Sequence, residues 1–167
     1  EAIRYLAKKY NIEIEETEQT DAEKEKLNER ESMFLVADHA NTYFKNTLLD
    51  SSEGKAIGLT YFKERGFTEE TINKFDLGYS PQEKDAFTKS AIKSGFQLEF
   101  LEKTGLTIVN ESYQVDRFRG RVMFPIKSLS GRVVGFGGRI LGDNKKTAKY
   151  LNSPESEIYH KSKVLYG

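Results

Sequence analysis

Cysteine is absent from the 167 residues, which excludes disulfide scaffolds, thiolate zinc sites and cysteine nucleophiles, and fits a reducing compartment. The two histidines, His39 and His160, are too few for a histidine-rich metal cluster. Tryptophan is missing and proline is limited to 3 residues. No apolar run approaches the roughly 20 residues that a membrane helix requires, so no membrane partner is expected. No Asp-x-Asp motif, no spaced carboxylate set in the strand region and no Ser/His/Asp arrangement can be assembled. Neither metal-dependent transfer nor nucleophilic catalysis can therefore be assigned to residues of this chain. The chain begins at Glu1 without a charged-then-apolar leader, so it shows no signal peptide and reads as an excised piece. What is present is a globular composition: 37% hydrophobic and 12% aromatic residues, with 11 Phe and 9 Tyr. That is too apolar for disorder, and the length suits one to one and a half domains.

Net charge is zero, with 26 basic and 26 acidic residues, which taken whole argues against a nucleic-acid partner. The charges are unevenly placed. Residues 117–167 carry eleven Lys and Arg against three acids, a local excess of +8, and residues 1–116 carry the opposite balance. Such asymmetry points to a polyanion-binding face on the second part, because cations that neutralise phosphates release condensed counterions. An unevenly charged but merely solvated surface fits the same numbers.

The apolar spacing predicts an α+β protein with a helical first half and antiparallel β-hairpins in the second. Ile3, Leu6, Ala7 and Tyr10 form a short amphipathic stripe, and residues 11–25 read as a linker or frayed helix start. A long helix is expected over about residues 25–49 with Leu27, Phe34, Ala37, Ala40, Phe44 and Leu48 inward. A second should run from about Ser52 to Gly66, burying Ala56, Leu59 and Phe62. Thr68, followed by Glu69 and Glu70, should cap a short helix that buries Ile72 and Phe75. Further helices are expected over about 82–93 and 97–103. After Gly105 the period changes to two. A hairpin is expected over 107–115 and another pairs 121–127 with 132–141, and Pro125 places the former strand at an edge or at a bulge. A short helix-like tail is expected over 158–165.

Three groups could carry chemistry. Arg117, Arg119 and Arg121 alternate with Phe118, Gly120 and Val122, so on a strand their guanidiniums share a face at roughly 7 Å spacing. Arginine forks match phosphate and Phe118 offers a stacking platform, which suits single-stranded nucleic acid. Pairing of these arginines with the acidic first half is the alternative. Gly135-Phe136-Gly137-Gly138-Arg139 is neither G-x-G-x-x-G nor a Walker A sequence. Its glycines permit a bulge or a close crossing, and Arg139 is the functional candidate. Lys149, Tyr150 and Asn152 supply a cation, an aromatic face and an amide, the groups that contact phosphate, stack on bases and read base edges. A packed Tyr150 in a proline-terminated turn explains the same residues. His160 reads as a packed or capping histidine, and Glu155 and Glu157 as helix N-terminal acids.

Several strings resemble the bacterial DNA primase family. They are residues 116–126 (Asp-Arg-Phe-Arg-Gly-Arg-Val-Met-Phe-Pro-Ile), 131–141 (Gly-Arg-Val-Val-Gly-Phe-Gly-Gly-Arg-Ile-Leu), 149–155 (Lys-Tyr-Leu-Asn-Ser-Pro-Glu), His160-Lys161 and Leu165-Tyr166-Gly167. Residues 61–67 (Tyr-Phe-Lys-Glu-Arg-Gly-Phe) and 75–81 (Phe-Asp-Leu-Gly-Tyr-Ser-Pro) are similar to the same family's Arg-Gly and Gly-aromatic-x-Pro segments. The loop 142–148 departs from it by carrying Lys145 and Lys146 and lacking a proline.

The resemblance covers about residues 31–167 and implies the N-terminal, basic subdomain of the RNA polymerase core, with 1–30 as the end of the zinc-domain region and its linker. The Toprim subdomain, which holds Mg or Mn for primer synthesis, would follow Gly167. A Zn-binding domain would precede Glu1, and no cofactor is expected on this piece, which alone would be inactive. By this resemblance Arg65, Arg139, Lys149, Tyr150, Asn152 and Lys161 fall on positions for template and incoming nucleotide, and Arg117, Arg119 and Arg121 on the basic strand. The implied partners are single-stranded DNA template, ribonucleoside triphosphates, an RNA–DNA duplex and, through the intact protein, the replicative helicase. The implied location is the bacterial cytoplasm at the nucleoid. A non-enzymatic Toprim-associated interaction module and the equivalent domain of a phage-type primase-helicase remain as alternatives.

Overall fold

The computed structural model describes residues 20–142 and 146–164. The expected stripe over residues 1–10 therefore lies outside the described residues. Helix α1 spans Asp21–Asp50 and starts where Thr20 and Glu23 cap each other: the Thr20 hydroxyl accepts from the Glu23 N–H and the Glu23 carboxylate from the Thr20 N–H. This capping box satisfies two otherwise orphaned donors, and acids in the first turn suit the helix dipole. Burial begins only at Met33 and continues through Val36, Ala37, Ala40, Phe44 and Leu48. The expected inward Leu27 is 51% exposed. The exposed end is held by ion pairs instead, Lys103 to Glu29 at 2.7 Å and the Arg132 fork to Glu31 at 2.8 and 2.9 Å.

The helix expected over 52–66 is helical but irregular, with a π-helical turn over Gly54–Leu59 before α2, Thr60–Glu64. Its buried positions are Gly54, Gly58 and Phe62, and Ala56 is exposed. A Cβ on Gly54 would lie 1.9 Å from the Thr47 carbonyl oxygen, so the wider turn and the glycine together let this segment lie directly on α1. Helix α3, Glu69–Lys74, has Thr68 as its N-cap, as expected, and buries Ile72 but leaves Phe75 41% exposed. Asp76 then takes a left-handed conformation, φ 51°, before strand β1, Gly78–Ser80.

Helix α4 spans Ala86–Lys93, four residues shorter at its start than the periodicity suggests. The preceding backbone is committed elsewhere: Gln82 N–H donates to Glu53, and the Pro81 and Lys84 carbonyls accept from Gly120 and Asp116. The helix start is capped from across the fold, because the buried Asp116 carboxylate accepts from the Phe87 and Thr88 N–H groups at 2.7 and 3.0 Å. Burial pushes the Asp116 carboxyl pKa up, against the pull of those hydrogen bonds. Helix α5 is Leu98–Lys103.

Strands β2, Thr107–Val109, and β3, Gln114–Asp116, form a separate hairpin. Strands β4, Arg121–Lys127, β5, Val133–Ile140, and β6, Tyr150–Asn152, join β1 in an antiparallel sheet of order β1-β4-β5-β6. Strand β4 is thus interior rather than at an edge, but β1 reaches only to Met123, so Pro125 meets no partner on that side. A register shift follows at once, between Ile126 and Lys127. The architecture is α+β, with helices first and antiparallel strands second.

Alternation along β4 and β5 sends Met123 and Phe136 to one face, where they pack with Phe44 of α1 and Phe87 of α4. Val122 and Phe124 point to the other, which α2 and α3 cover through Phe62 and Ile72 beside β1. Toward β5 and β6 that second face is open.

Candidate nucleic-acid interface

The open part of the sheet forms a cavity of about 370 Å³. Arg139, Tyr150, Asn152 and Lys161 line it as polar groups, with Ile126 and Tyr159 among its apolar walls. Register explains the gathering. Arg139 on β5 lies directly opposite Tyr150 on β6, and Gly137 opposite Asn152. A Cβ at Gly137 would come within 3.2 Å of the Asn152 Oδ1, so the glycine leaves room for the amide. Gly138 serves the opposite face: its Cβ would lie 2.8 Å from Phe118 and 3.1 Å from Arg121. The Gly-rich stretch is a close crossing.

Arg139 is the hub of the site. It donates from Nη1 to the Tyr61 hydroxyl. Its guanidinium carbon lies 5.2 Å from the Tyr61 ring centroid and 5.5 Å from that of Tyr150. Arg65, at the C-cap of α2, lies 4.6 Å from the same Tyr61 ring. The order Arg65, Tyr61, Arg139, Tyr150 is an alternating row of cations and rings, the arrangement that ring quadrupoles favour. The Arg139 Nε is buried and has no hydrogen-bond partner among the described residues. Tyr150 is 65% exposed, leaving it available to stack on a flat ligand.

Lys149 precedes Tyr150 and is exposed, and its carbonyl accepts from Ile140 N–H across the strand pair. Lys161 begins the 3₁₀ turn Lys161–Lys163 that stands where a longer helical tail is expected. Glu155 orders that turn by accepting from the Lys161 N–H at 2.8 Å, with His160 Nδ1 at 3.2 Å from its other oxygen. Donation from the Lys161 backbone, then contact with His160, holds the Glu155 carboxyl below its ordinary pKa.

The three alternating arginines do not share a strand face. Residues 117–120 form a turn with Gly120 at φ 62°. Arg117 is half-buried and donates from Nε to the Gly105 carbonyl, Arg119 is exposed, and Arg121 is 3% exposed. The Arg121 guanidinium donates to the Ala148, Lys149 and Gly138 carbonyls at 2.9, 3.3 and 3.4 Å. Burial pulls the pKa of Arg117 and Arg121 below the ordinary arginine value. Phe118 is 1% exposed and belongs to the core, so it is no stacking platform. None of the three arginines lines the cavity.

Tyr61 is the residue that sequence reasoning missed. Its spacing of four from Arg65 on a helical segment places both on one helical face, and that was the available signal. Among the described residues no group of three or more His, Asp and Glu side chains could hold a metal ion, and no helix is long and apolar enough to cross a membrane.

An α+β scaffold with a cationic, ring-studded cleft on an open sheet face carries the groups that nucleic-acid-binding surfaces use. Residues 43–167 match the family of the DNA primase catalytic core, N-terminal domain. The chain belongs to that family. It is similar to a DNA primase of Halalkalibacterium halodurans, with 41% identity over 169 residues that cover 100% of this chain and 27% of the relative's length. It is also similar in structure to a primase catalytic domain bound to single-stranded DNA, with a TM-score of 0.77 and 37% identity over 84% of this chain and 43% of that one. The zinc-binding and RNA polymerase domains of the Aquifex aeolicus primase give a TM-score of 0.69 and 30% identity over 96% of this chain and 36% of that one.

Proposed function

We propose that this chain holds the single-stranded template and the incoming ribonucleotide in a primase, a DNA-directed RNA polymerase that lays down short RNA primers during DNA replication. The observation that supports this reading is the row Arg65, Tyr61, Arg139, Tyr150 beside the cavity. Arg65, Arg139, Lys149 and Lys161 contact phosphates, with Arg119 as an outlying contact. Tyr150 stacks on a base, and Asn152 meets a sugar, a base edge or a nucleotide phosphate. Arg117 and Arg121 keep the site in shape rather than touching nucleic acid. Stacking on an exposed ring is tolerant of sequence, and phosphate contacts position a strand without reading it. The site therefore suits template of varied sequence, and equally an RNA–DNA duplex leaving it.

In this reading residues 31–167 are the basic subdomain of the polymerase core and residues 1–30 the end of a zinc-domain region and its linker. Metal chemistry, through Mg or Mn on a Toprim subdomain, belongs to residues other than these, as do Zn and the docking of a replicative helicase. The working place is the bacterial cytoplasm.

The test is fluorescence anisotropy of a labelled single-stranded DNA of about 15 nucleotides, long enough to span a groove of this kind, titrated with the protein across a salt series. Affinity should fall linearly with log salt, and Arg139→Ala should flatten the slope by about 0.7 for the phosphate it releases. Absence of salt-dependent binding overturns the proposal.

A further inference from the structure

We infer that Glu155 is a positioning residue: it clamps the main chain at Lys161 and so sets that lysine at the cavity without neutralising it. The inference rests on the nucleic-acid reading of the cleft and adds to it a residue of the opposite charge. Other carboxylates beside a fixed cation take its charged head. Glu29 takes the Lys103 ammonium, Asp76 that of Lys127, and Glu31 the Arg132 guanidinium. Glu155 is used differently. Its Oε1 accepts from the Lys161 backbone N–H at 2.8 Å, and its Oε2 lies 3.2 Å from His160 Nδ1. Among the described residues the Lys161 ammonium has no carboxylate in ion-pair contact.

The rest of the loop shows why a clamp is needed at this point. Ser153 pins the chain to β5, donating its N–H to the Phe136 carbonyl at 2.8 Å and accepting from the Phe136 N–H on its hydroxyl at 2.9 Å. The turn from Ser156 to Tyr159 closes on itself, with the Ser156 N–H donating to the Tyr159 carbonyl at 2.9 Å, and buries Ile158 and Tyr159. Beyond Tyr159 the chain runs out as the 3₁₀ turn Lys161–Lys163, which the Lys163 N–H closes onto the His160 carbonyl. So short a turn does not persist by itself. The N–H at its start is an orphan donor, and Glu155 satisfies it. Lys161 lines the cavity but Glu155 does not. Glu155 lines a separate groove with Glu29, Met33, Lys103 and His160, so its effect on a ligand in the cavity passes through Lys161.

Charge and position make opposite predictions for this residue. A carboxylate near a polyanion site repels the ligand, so on charge alone Glu155→Ala should tighten binding. As the loss of a clamp it should weaken binding by about fivefold. Glu155→Gln removes the same charge but keeps an oxygen for the Lys161 N–H, and should restore binding to the parental level or above it. Two titrations read these effects, labelled single-stranded DNA by anisotropy and ATP by calorimetry, because the phosphate that Lys161 meets belongs to one or the other. Lys161→Ala identifies which, and in its background Glu155→Ala should cause no further loss. The Glu155 side chain is 58% exposed, so Glu155→Ala should fold, and a thermal melt checks that it does. A merely structural role would give the same loss with Lys161 present or absent. That result overturns the proposal, as does tighter or unchanged binding by Glu155→Ala, or equal weakening by Glu155→Ala and Glu155→Gln. Parental binding of both ligands by Lys161→Ala overturns it too, since the clamp would then have nothing to position. Failure of the unsubstituted protein to bind either ligand overturns the functional reading itself, an outcome distinct from binding that ignores Glu155.

Discussion

The Arg121 guanidinium donates to the Ala148 carbonyl oxygen at 2.9 Å, tying the start of β4 to the segment that carries Lys149 and Tyr150. Because Arg121 is 3% exposed and also donates to the Lys149 and Gly138 carbonyls, its loss removes a buried cation's hydrogen bonds to three carbonyls, of which that of Lys149 keeps the Ile140 N–H. Arg121→Ala should cost about 2–3 kcal/mol of stability. Arg119→Ala, on an exposed side chain, should stay within about 0.5 kcal/mol. Urea denaturation of the two variants measures the difference. Equal midpoints would show that Arg121 is not the strap described.

Asp76 sits between two lysines, with Lys127 Nζ at 2.6 Å and Lys45 Nζ at 2.9 Å. Burial raises its pKa, but the hydrogen bonds from Lys127 and then Lys45 outweigh it and hold the carboxyl below the ordinary aspartate value. The folded form thus binds its proton more weakly than the unfolded chain. Its stabilisation is complete above the unfolded pKa of about 3.9 and disappears as pH falls through the lower folded value. Asp76→Asn tolerates the positive φ and should cost about 1–2 kcal/mol at neutral pH. That deficit should shrink toward zero in acid, as followed by thermal melts from neutral pH downward.

His39 packs against Phe96 with ring centroids 4.6 Å apart, and burial lowers its pKa. The neutral form is the one the fold accommodates. Stability should therefore be full above the unfolded histidine pKa of about 6.5 and decline as pH falls below it, until the lower folded value is passed. His39→Phe should flatten the melting temperature between pH 7.5 and pH 5.5, a window of about two units around that value. A parental slope retained in the variant would assign the pH dependence to another group.

The sequence made some of this legible and hid the rest for identifiable reasons. The later half of α1 could be read from Ala37, Ala40, Phe44 and Leu48, because a helix packed on a core shows its period. Leu27 misled because ion pairs, rather than apolar contacts, hold that end. Arg139, Tyr150 and Asn152 follow from their chemistry and Lys161 from the family resemblance, and the four meet at one cavity. Arg117, Arg119 and Arg121 alternate as a strand would, but the turn over residues 117–120, with Gly120 at positive φ, is a feature that alternation does not reveal. The start of α4 was hidden because its cap, Asp116, is distant in sequence. Tyr61 was harder to read because its hydroxyl partner, Arg139, lies 78 residues away on β5, and only its spacing of four from Arg65 marks the helical face it shares.

Strand β1 comes from the helical half of the chain yet pairs with β4 across more than 40 residues, Gly78 meeting Met123. The sheet therefore cannot be completed by the hairpin half folding on its own. Closing so long a loop is slow and comes before the contacts that reward it. The two halves should thus form in a single cooperative transition, and a chain nicked between α5 and β2 would yield two fragments that each need the other to fold.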